Sequence, residues 1–335
     1  MKILVVTNMY PGANQNHVTQ GIFVEEQVQA LRVAGGDVDV LTIDGFRRKF
    51  SYLESLVRVM WAVKRRRYDI VHYHFGLSAI SAPLVKLGTG ARVFVTFHGS
   101  DVMGGGLTRI ASLLAAKFSD VCIVVSEEIR GRLGAIPKAC FVIPCAVNEI
   151  FFSPNLNRED RDQQGQVVVF PSSPKRAEKD YPLFTKTLEI VRSRWGINVT
   201  ERHIDGLSRV AVRELLDTAD CMLMTSHREG SPQSVKEAMS MRLPVVSVNV
   251  GDVGVMLKDC PGNAVVASRD PEILAQQVAG ILTLGTRSKG RDRLSELGYF
   301  SGNIACRLMR LYEDVVEGQL SDRNSGAGTR TNEIN

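Results

Sequence analysis

Cys221-Met222-Leu223-Met224-Thr225-Ser226-His227-Arg228-Glu229-Gly230-Ser231-Pro232-Gln233-Ser234-Val235-Lys236-Glu237 reads as a buried strand, a tight loop and a helix in direct succession. The run Cys221 to Thr225 is continuously apolar up to its last residue, as a strand covered on both faces requires. Ser231 is expected as the helix N-cap and Pro232 at the first helical position, where a missing N–H costs nothing. A helix that starts just beyond a strand offers free backbone N–H groups and a partial positive charge, which suits a phosphate. Glu229 lies in the loop at that seat. Glu237 lies in the helix, roughly 7 Å further along. Two glutamates eight apart are, alone, two solvated carboxylates. The strand before them and the Gly-Ser-Pro after the first make them a candidate site.

The same alternation runs outward in both directions. Ile3 to Thr7 reads as a strand, followed by a loop with Pro11 and Gly12 and a helical pattern from Ile22 to Ala34. Val38 to Ile43, Asp69 to His74, Arg92 to Phe97 and Val121 to Val125 are further strands, with a helix over Leu53 to Val63. The rhythm breaks after Phe141-Val142-Ile143-Pro144, and Asn155 to Gln166 is polar and linker-like. It restarts with strands at Val167 to Phe170, Cys221 to Thr225 and Val245 to Val248, and helices at Leu183 to Arg194 and Gln233 to Met241. The pattern predicts an α/β protein with two Rossmann-like, doubly wound parallel-sheet domains, residues 1–150 and 151–300, facing across a cleft. Ligands then bind beyond the carboxyl ends of the strands, in that cleft. Helix 301–318 carries Ile304, Leu308, Leu311, Tyr312 and Val315 on one face and is expected to pack back toward the first domain. The polar, Gly/Ser-rich stretch 319–335 is expected to be disordered.

Length and composition agree with this. The 335 residues suit two domains better than one. No apolar run reaches the roughly 18 residues of a membrane span. Met1 to Thr7 reads as a first strand rather than a signal peptide, so a cytoplasmic protein is expected. The six cysteines form no C-x-x-C pair and sit among apolar neighbours, as reduced packing residues do. A net charge of +5 is too small to argue for nucleic acid. The basic residues cluster, however, with Arg47-Arg48-Lys49 and Lys64-Arg65-Arg66-Arg67 flanking a helix that carries Leu53, Leu56, Val57, Met60 and Trp61 on one face. The plain reading is a helix packed on a sheet. The sharper one is an amphipathic patch over 47–67 that touches anionic lipid at the cytoplasmic face of a membrane.

Several landmarks, in order, resemble one family. Glu229 to Glu237 resembles the E-x7-E element of retaining glycosyltransferases of the GT-B fold, specifically glycosyltransferase family 4. Thr96-Phe97-His98-Gly99-Ser100-Asp101 resembles its H-G-x-D element. Val142 to Asn148 with Phe152-Ser153-Pro154 resembles its interdomain segment, and Pro244 to Gly254 its P-V-V-s…G-G stretch. The resemblance covers most of residues 1 to 318. It implies transfer of a sugar, with retention, from a nucleotide-sugar to a glycan, lipid-linked or small-molecule acceptor, in polysaccharide or glycoconjugate biosynthesis. No metal and no cofactor are implied, because the UDP- or GDP-sugar is itself a substrate. His98 and Glu229 are the implied catalytic residues at the transferred sugar. Arg176 and Lys179 are implied to grip the diphosphate, Glu237 the nucleotide ribose, and Gly21 and Ser231 to line the donor site. Asp101 and His74 are acceptor-side candidates. Two departures stand out. Ser172-Ser173-Pro174 occupies a place where glycine is frequent, so Lys175 could take one of the phosphate roles, and Gln20 replaces a paired glycine. A nucleotide-sugar epimerase or hydrolase of the same fold, or an idle binding protein, are the competing readings.

Overall fold

The computed structural model describes residues 1–11, 21–45, 48, 50–155 and 165–319. Gln20, Arg47, Lys49, most of the polar linker and the tail from 320 onward, for which disorder is expected, lie outside the described residues.

The first sheet is built from β1 (Lys2–Thr7), β2 (Asp37–Thr42), β3 (Ile70–His74), β4 (Arg92–Phe97), β5 (Val121–Val124) and β6 (Cys140–Val142). Its strand order is β2-β1-β3-β4-β5-β6, and every pairing is parallel. The second comprises β7 (Gln166–Phe170), β8 (Val199–His203), β9 (Cys221–Met224), β10 (Val245–Val248) and β11 (Ala264–Val266), in order β11-β10-β9-β7-β8, again all parallel. Central strands such as β3, β5, β9 and β10 are buried at every residue, which is why β5 and β9 read as unbroken apolar runs. Edge strand β8, Val-Thr-Glu-Arg-His, is polar at four of its five residues and gives no such signal.

The first sheet is covered by α1 (Ile22–Val33), α2 (Ser51–Arg66), α3 (Ala82–Gly88), α4 (Ser100–Met103), α5 (Leu107–Phe118) and α6 (Glu127–Leu133). The second carries α7 (Tyr181–Trp195), α8 (Arg209–Thr218), α9 (Gln233–Ser240), α10 (Val253–Leu257), α11 (Pro271–Leu284) and α12 (Gly290–Glu296). The last helix, α13 (Ser301–Val316), returns to the first sheet and packs on α1. Its face of Ile304, Leu308, Leu311, Tyr312 and Val315 is buried among Ile3, Val24, Val28 and Phe94. Tyr312 has no exposed surface, and its hydroxyl lies 2.5 Å from Nδ1 of His72 in β3.

Helix α2 packs on the sheet, as in the plain reading, but through a face other than that of Leu53, Val57 and Trp61. It buries Ser51, Ser55, Val59 and Val63 against the sheet and leaves Leu53, Val57 and Trp61 exposed. Cys306 is also exposed, unlike the other five cysteines, so it is no packing residue.

The chain crosses between the two units twice, side by side. Val147 pairs in parallel with Phe300, and the Val147 N–H donates to Tyr299 O at 3.0 Å. The second unit holds the first crossing by side chains. Lys236 Nζ donates to Cys145 O at 2.7 Å and Gln233 Nε2 to Ala146 O at 2.8 Å. Arg291 donates to Phe152 O at 2.8 Å and to Glu149 O at 3.0 Å.

Candidate functional site

In each sheet the connection reverses direction at one place, between β1 and β3 in the first and between β7 and β9 in the second. Such switch points open crevices beyond the strands' carboxyl ends. In the second unit the loops leaving β7 and β9 are stitched together there. Thr225 Oγ1 donates to the carbonyls of Lys179 and Asp180 at 3.0 Å each, and His227 N to Glu178 O at 2.9 Å. Arg269, which sequence reasoning missed, donates to Thr225 O at 2.6 Å and Ser226 O at 3.1 Å and pairs with Asp180. This lacing carries Lys179 to Glu229, with Nζ 2.5 Å from Oε1 and both side chains about 12% exposed. Arg176 does not join them. It is exposed and paired with Glu178 at 2.6 Å.

Helix α9 begins at Gln233 with Pro232 in the N-cap position, one residue later than expected. Ser231 therefore does not cap it. The Ser231 hydroxyl donates instead to Asp252 Oδ2 at 2.6 Å, at the start of α10. Glu237 is buried on α9, and burial pushes its carboxyl up to about 7 even though Arg209 opposes the shift. Arg209, at the start of α8, donates to Glu237 Oε1 at 2.5 Å and also pairs with Glu26 of α1 across the cleft. Neither Arg209 nor Glu26 was foreseen.

The first unit contributes the loop after β4. Gly99 and Gly230 face each other so closely that a Cβ on Gly230 would lie 2.9 Å from His98 O, and one on Gly99 3.7 Å from Gly230 Cα. Gly251 backs this contact, since a Cβ there would come within 2.7 Å of Gly230 O. Glycine at these points is what lets His98 approach Glu229-Gly230. His98 stands between Phe75 and Phe23, ring centroids 4.4 and 4.9 Å away, and stacks on His74 at 5.3 Å. Phe75 holds φ 69°, a strained backbone for a non-glycine residue at the end of β3. Gln27 Nε2 lies 3.4 Å from His74 Nε2, His74 Nδ1 lies 3.0 Å from His98 Nε2, and His98 Nδ1 lies 3.5 Å from Cys145 Sγ. An amide nitrogen can only donate, so the chain runs from Gln27 through His74 to His98 to Cys145. Burial keeps both imidazoles neutral, His74 pulled down to about 3 and His98 well below its ordinary value.

Two acceptor-side expectations are corrected. His74 has no exposed surface and can touch only its neighbours. Asp101 is 3% exposed and clips two loops together, accepting from His98 N at 3.1 Å, Gly99 N at 2.9 Å and Gly76 N at 3.2 Å. Burial pushes its carboxyl up to about 6 against those bonds. Gly21 opens α1 with φ +85°, and a Cβ there would sit 2.3 Å from Met9 C. Only glycine permits that approach between the chain leaving β1 and the helix start.

The family model for Glycosyltransferase Family 4 matches residues 2–151, and that for Glycosyl transferases group 1 matches residues 185–283. The chain is 24% identical over 322 residues to a protein named for teichuronic acid biosynthesis, the glycosyltransferase TuaC of Bacillus subtilis (strain 168), covering 76% of this chain and 82% of that one. Its fold is similar to sucrose-phosphate synthase from Thermosynechococcus elongatus, with TM-score 0.74, 16% identity, and 95% and 99% of the two chains covered. It is also similar to Anabaena Alr3699/HepE in complex with UDP-glucose, with TM-score 0.64, 13% identity, and 96% and 100% covered. At such identities the two structures speak for the fold.

Proposed function

The chain is a glycosyltransferase of the family 4, group 1 type on a GT-B fold, and from that premise we propose that it moves a sugar from a nucleotide-sugar donor to a glycan or lipid-linked acceptor in polysaccharide-type biosynthesis, with retention. The observation that carries this reading is the Lys179–Glu229 pair beyond the second sheet's switch point, with Gly230, next to Glu229, packed against His98 O of the first unit. Lys179 is the cation for the leaving diphosphate, a role electrostatics makes large in a site shielded from water. Arg176, exposed, reaches the phosphates only by leaving Glu178. Glu229 faces the transferred sugar and Glu237 the ribose, whose hydroxyls need acceptors.

In this reading the acceptor hydroxyl attacks the anomeric carbon on the face the diphosphate leaves. The C–O bond to phosphate breaks, the new C–O bond forms, and the acceptor's proton passes to the departing phosphate oxygen. His98 is neutral with both ring nitrogens engaged, so it shapes the sugar pocket rather than moving that proton. Mass-spectrometric capture of a covalent glycosyl-enzyme would overturn this step.

The lipid-linked acceptor is supported by one surface of the first unit. Leu53, Val57 and Trp61 of α2, Leu84 and Leu87 of α3, and Leu107, Ile110 and Leu114 of α5 are all exposed, on neighbouring helices. Arg58, Lys64, Arg65 and Arg109 are interspersed with them, the pattern of a surface that rests on anionic lipid. Among the described residues no helix is long and apolar enough to cross a membrane. The function is tested by ligand-observed NMR with UDP-, GDP-, ADP- and TDP-sugars, followed by turnover with and without acceptor. Saturable donor binding with acceptor-dependent turnover is expected. Rapid donor conversion without acceptor points to an epimerase or hydrolase and refutes the reading. Sedimentation with phosphatidylglycerol vesicles, lost in a Val57→Asp/Trp61→Asp variant, tests the membrane face.

A further inference from the structure

Between α1 of the first unit and α8 and α9 of the second lies a cavity of about 240 Å³, whose walls include Phe23, Glu26, Gly206, Arg209, Gln233 and Glu237. Arg209 spans it. One terminal nitrogen donates to Glu237 Oε1 at 2.5 Å and the other to Glu26 Oε1, so a single planar fork ties a carboxylate of each unit. The guanidinium is pinned from behind by two rings, lying 4.6 Å from the Phe152 centroid and 5.2 Å from that of Phe151. It is therefore held ready rather than free to wander.

Each carboxylate gives Arg209 one oxygen. The other oxygen of Glu26, Oε2, is withdrawn from solvent and has no hydrogen-bond partner among the described residues, and the same holds for Gln233 Oε1 on the same cavity. Both atoms can only accept. Buried acceptors without partners are costly, and they persist where something else completes them. Two in one cavity, one from each unit, call for a ligand that brings O–H or N–H donors. A phosphate group brings none. A vicinal diol brings two donors.

We propose that Glu26 is a donor-binding residue whose Oε2 accepts a ribose hydroxyl of the nucleotide, so that the ribose is gripped by one carboxylate from each unit. Arg209 is the positioning residue that aims both. This rests on reading Glu237 as the ribose carboxylate, and it adds that the first unit reads the nucleotide too. The enzyme then selects ribonucleotides over their deoxy counterparts, and closing the cleft becomes part of recognising the donor.

The test is calorimetric binding of UDP, GDP and ADP to the full chain. The tightest of them is then compared with its 2′-deoxy and 3′-deoxy forms. Wild type is expected to bind the ribonucleotide about tenfold or more tighter than at least one deoxy form. Glu26→Ala should weaken ribonucleotide binding about tenfold to a hundredfold and shrink that preference. Glu26→Gln, which keeps an acceptor oxygen and its reach, should restore part of both and guards against a folding defect. Arg209→Lys, which lacks the rigid planar fork that aims the two carboxylates, should also reduce the preference. A Glu26→Ala protein with wild-type affinity, or with an unchanged ribo/deoxy ratio, overturns the proposal. Glu237→Ala separates the two readings. Preference lost there but kept in Glu26→Ala removes only the share of Glu26. No effect in either variant removes the ribose site itself.

Discussion

Replacing Glu237 with glutamine should make the free protein more stable and the donor-bound protein weaker. The carboxyl is buried and pushed from an ordinary 4.5 up to about 7, so the folded state holds its proton more tightly than the unfolded chain. Stability attributable to this group is full below about pH 4.5 and is lost as pH rises through 7. A gap of about 2.5 units corresponds to about 3 kcal/mol of folding free energy, an upper figure for a carboxylate that shares Arg209 with Glu26. Glutamine has the same shape, can still accept from Arg209, and does not titrate. Glu237→Gln should therefore melt with wild type near pH 4.5 and above it by pH 8, by roughly 5–10 °C for a domain of this size. Thermal melts followed by circular dichroism at half-unit pH steps provide the measurement. At pH 8 with saturating nucleotide the order should narrow or invert. A ligand at about 100 times its dissociation constant adds about 2.7 kcal/mol to whichever protein binds it, which is wild type. A melting difference that stays flat from pH 4.5 to 8 refutes the reasoning, because the buried charge would then cost nothing.

Lys179→Met should lower kcat/KM at least about a hundredfold by removing the phosphate cation and stranding Glu229, with Lys179→Arg recovering part, both read in steady-state assays. Gly230→Ala should fold normally yet lose about tenfold or more in turnover, because the added Cβ would press on His98 O, whereas Gly131→Ala, where a Cβ meets open space, should stay at wild-type activity. Tyr312→Phe should destabilise the protein by about 1–3 kcal/mol in a urea titration, since it leaves Nδ1 of buried His72 without a partner and loosens α13 on the first sheet.

The parts of the fold that could be read from sequence are those whose physics is local. β9, Cys-Met-Leu-Met, is buried on both faces, and nothing but an apolar run could occupy it. The α13 face repeats at helical spacing because one face alone meets the first sheet. Glu229 and Glu237 were visible because a glycine, a proline and a strand end surround them. What stayed hidden depends on distant partners. Arg209 meets Glu26 across 183 residues of chain, and Arg269 meets Asp180 across 89, so neither pair leaves a periodic or spaced trace. Edge strand β8 carries Thr200, Glu201 and Arg202 because it lacks a neighbour on one side. Asp101 misled for a related reason. An Asp three after a histidine looks like a ligand group, yet its bonds go to three backbone N–H groups. In α2, the helical periodicity of Leu53, Val57 and Trp61 was sound, but periodicity gives a face and not its direction.

The paired crossings at Val147 and Phe300 carry a mechanical consequence. A single linker would let the two halves twist and slide in any direction. Two strands of chain, bonded side by side, behave like two pins in a door and leave one axis of swing. Lys236 fastens that axis to α9, next in sequence to Glu237. A nucleotide that shifts α9 by a fraction of an ångström thus pulls directly on the pivot, beside which His98 stands through Cys145, and the small displacement grows with distance from that axis, as rotation with a lever arm. Shortening that arm, or adding a third pin by crosslinking across Val147 and Phe300, is a handle on turnover that leaves every side chain of the donor pocket in place.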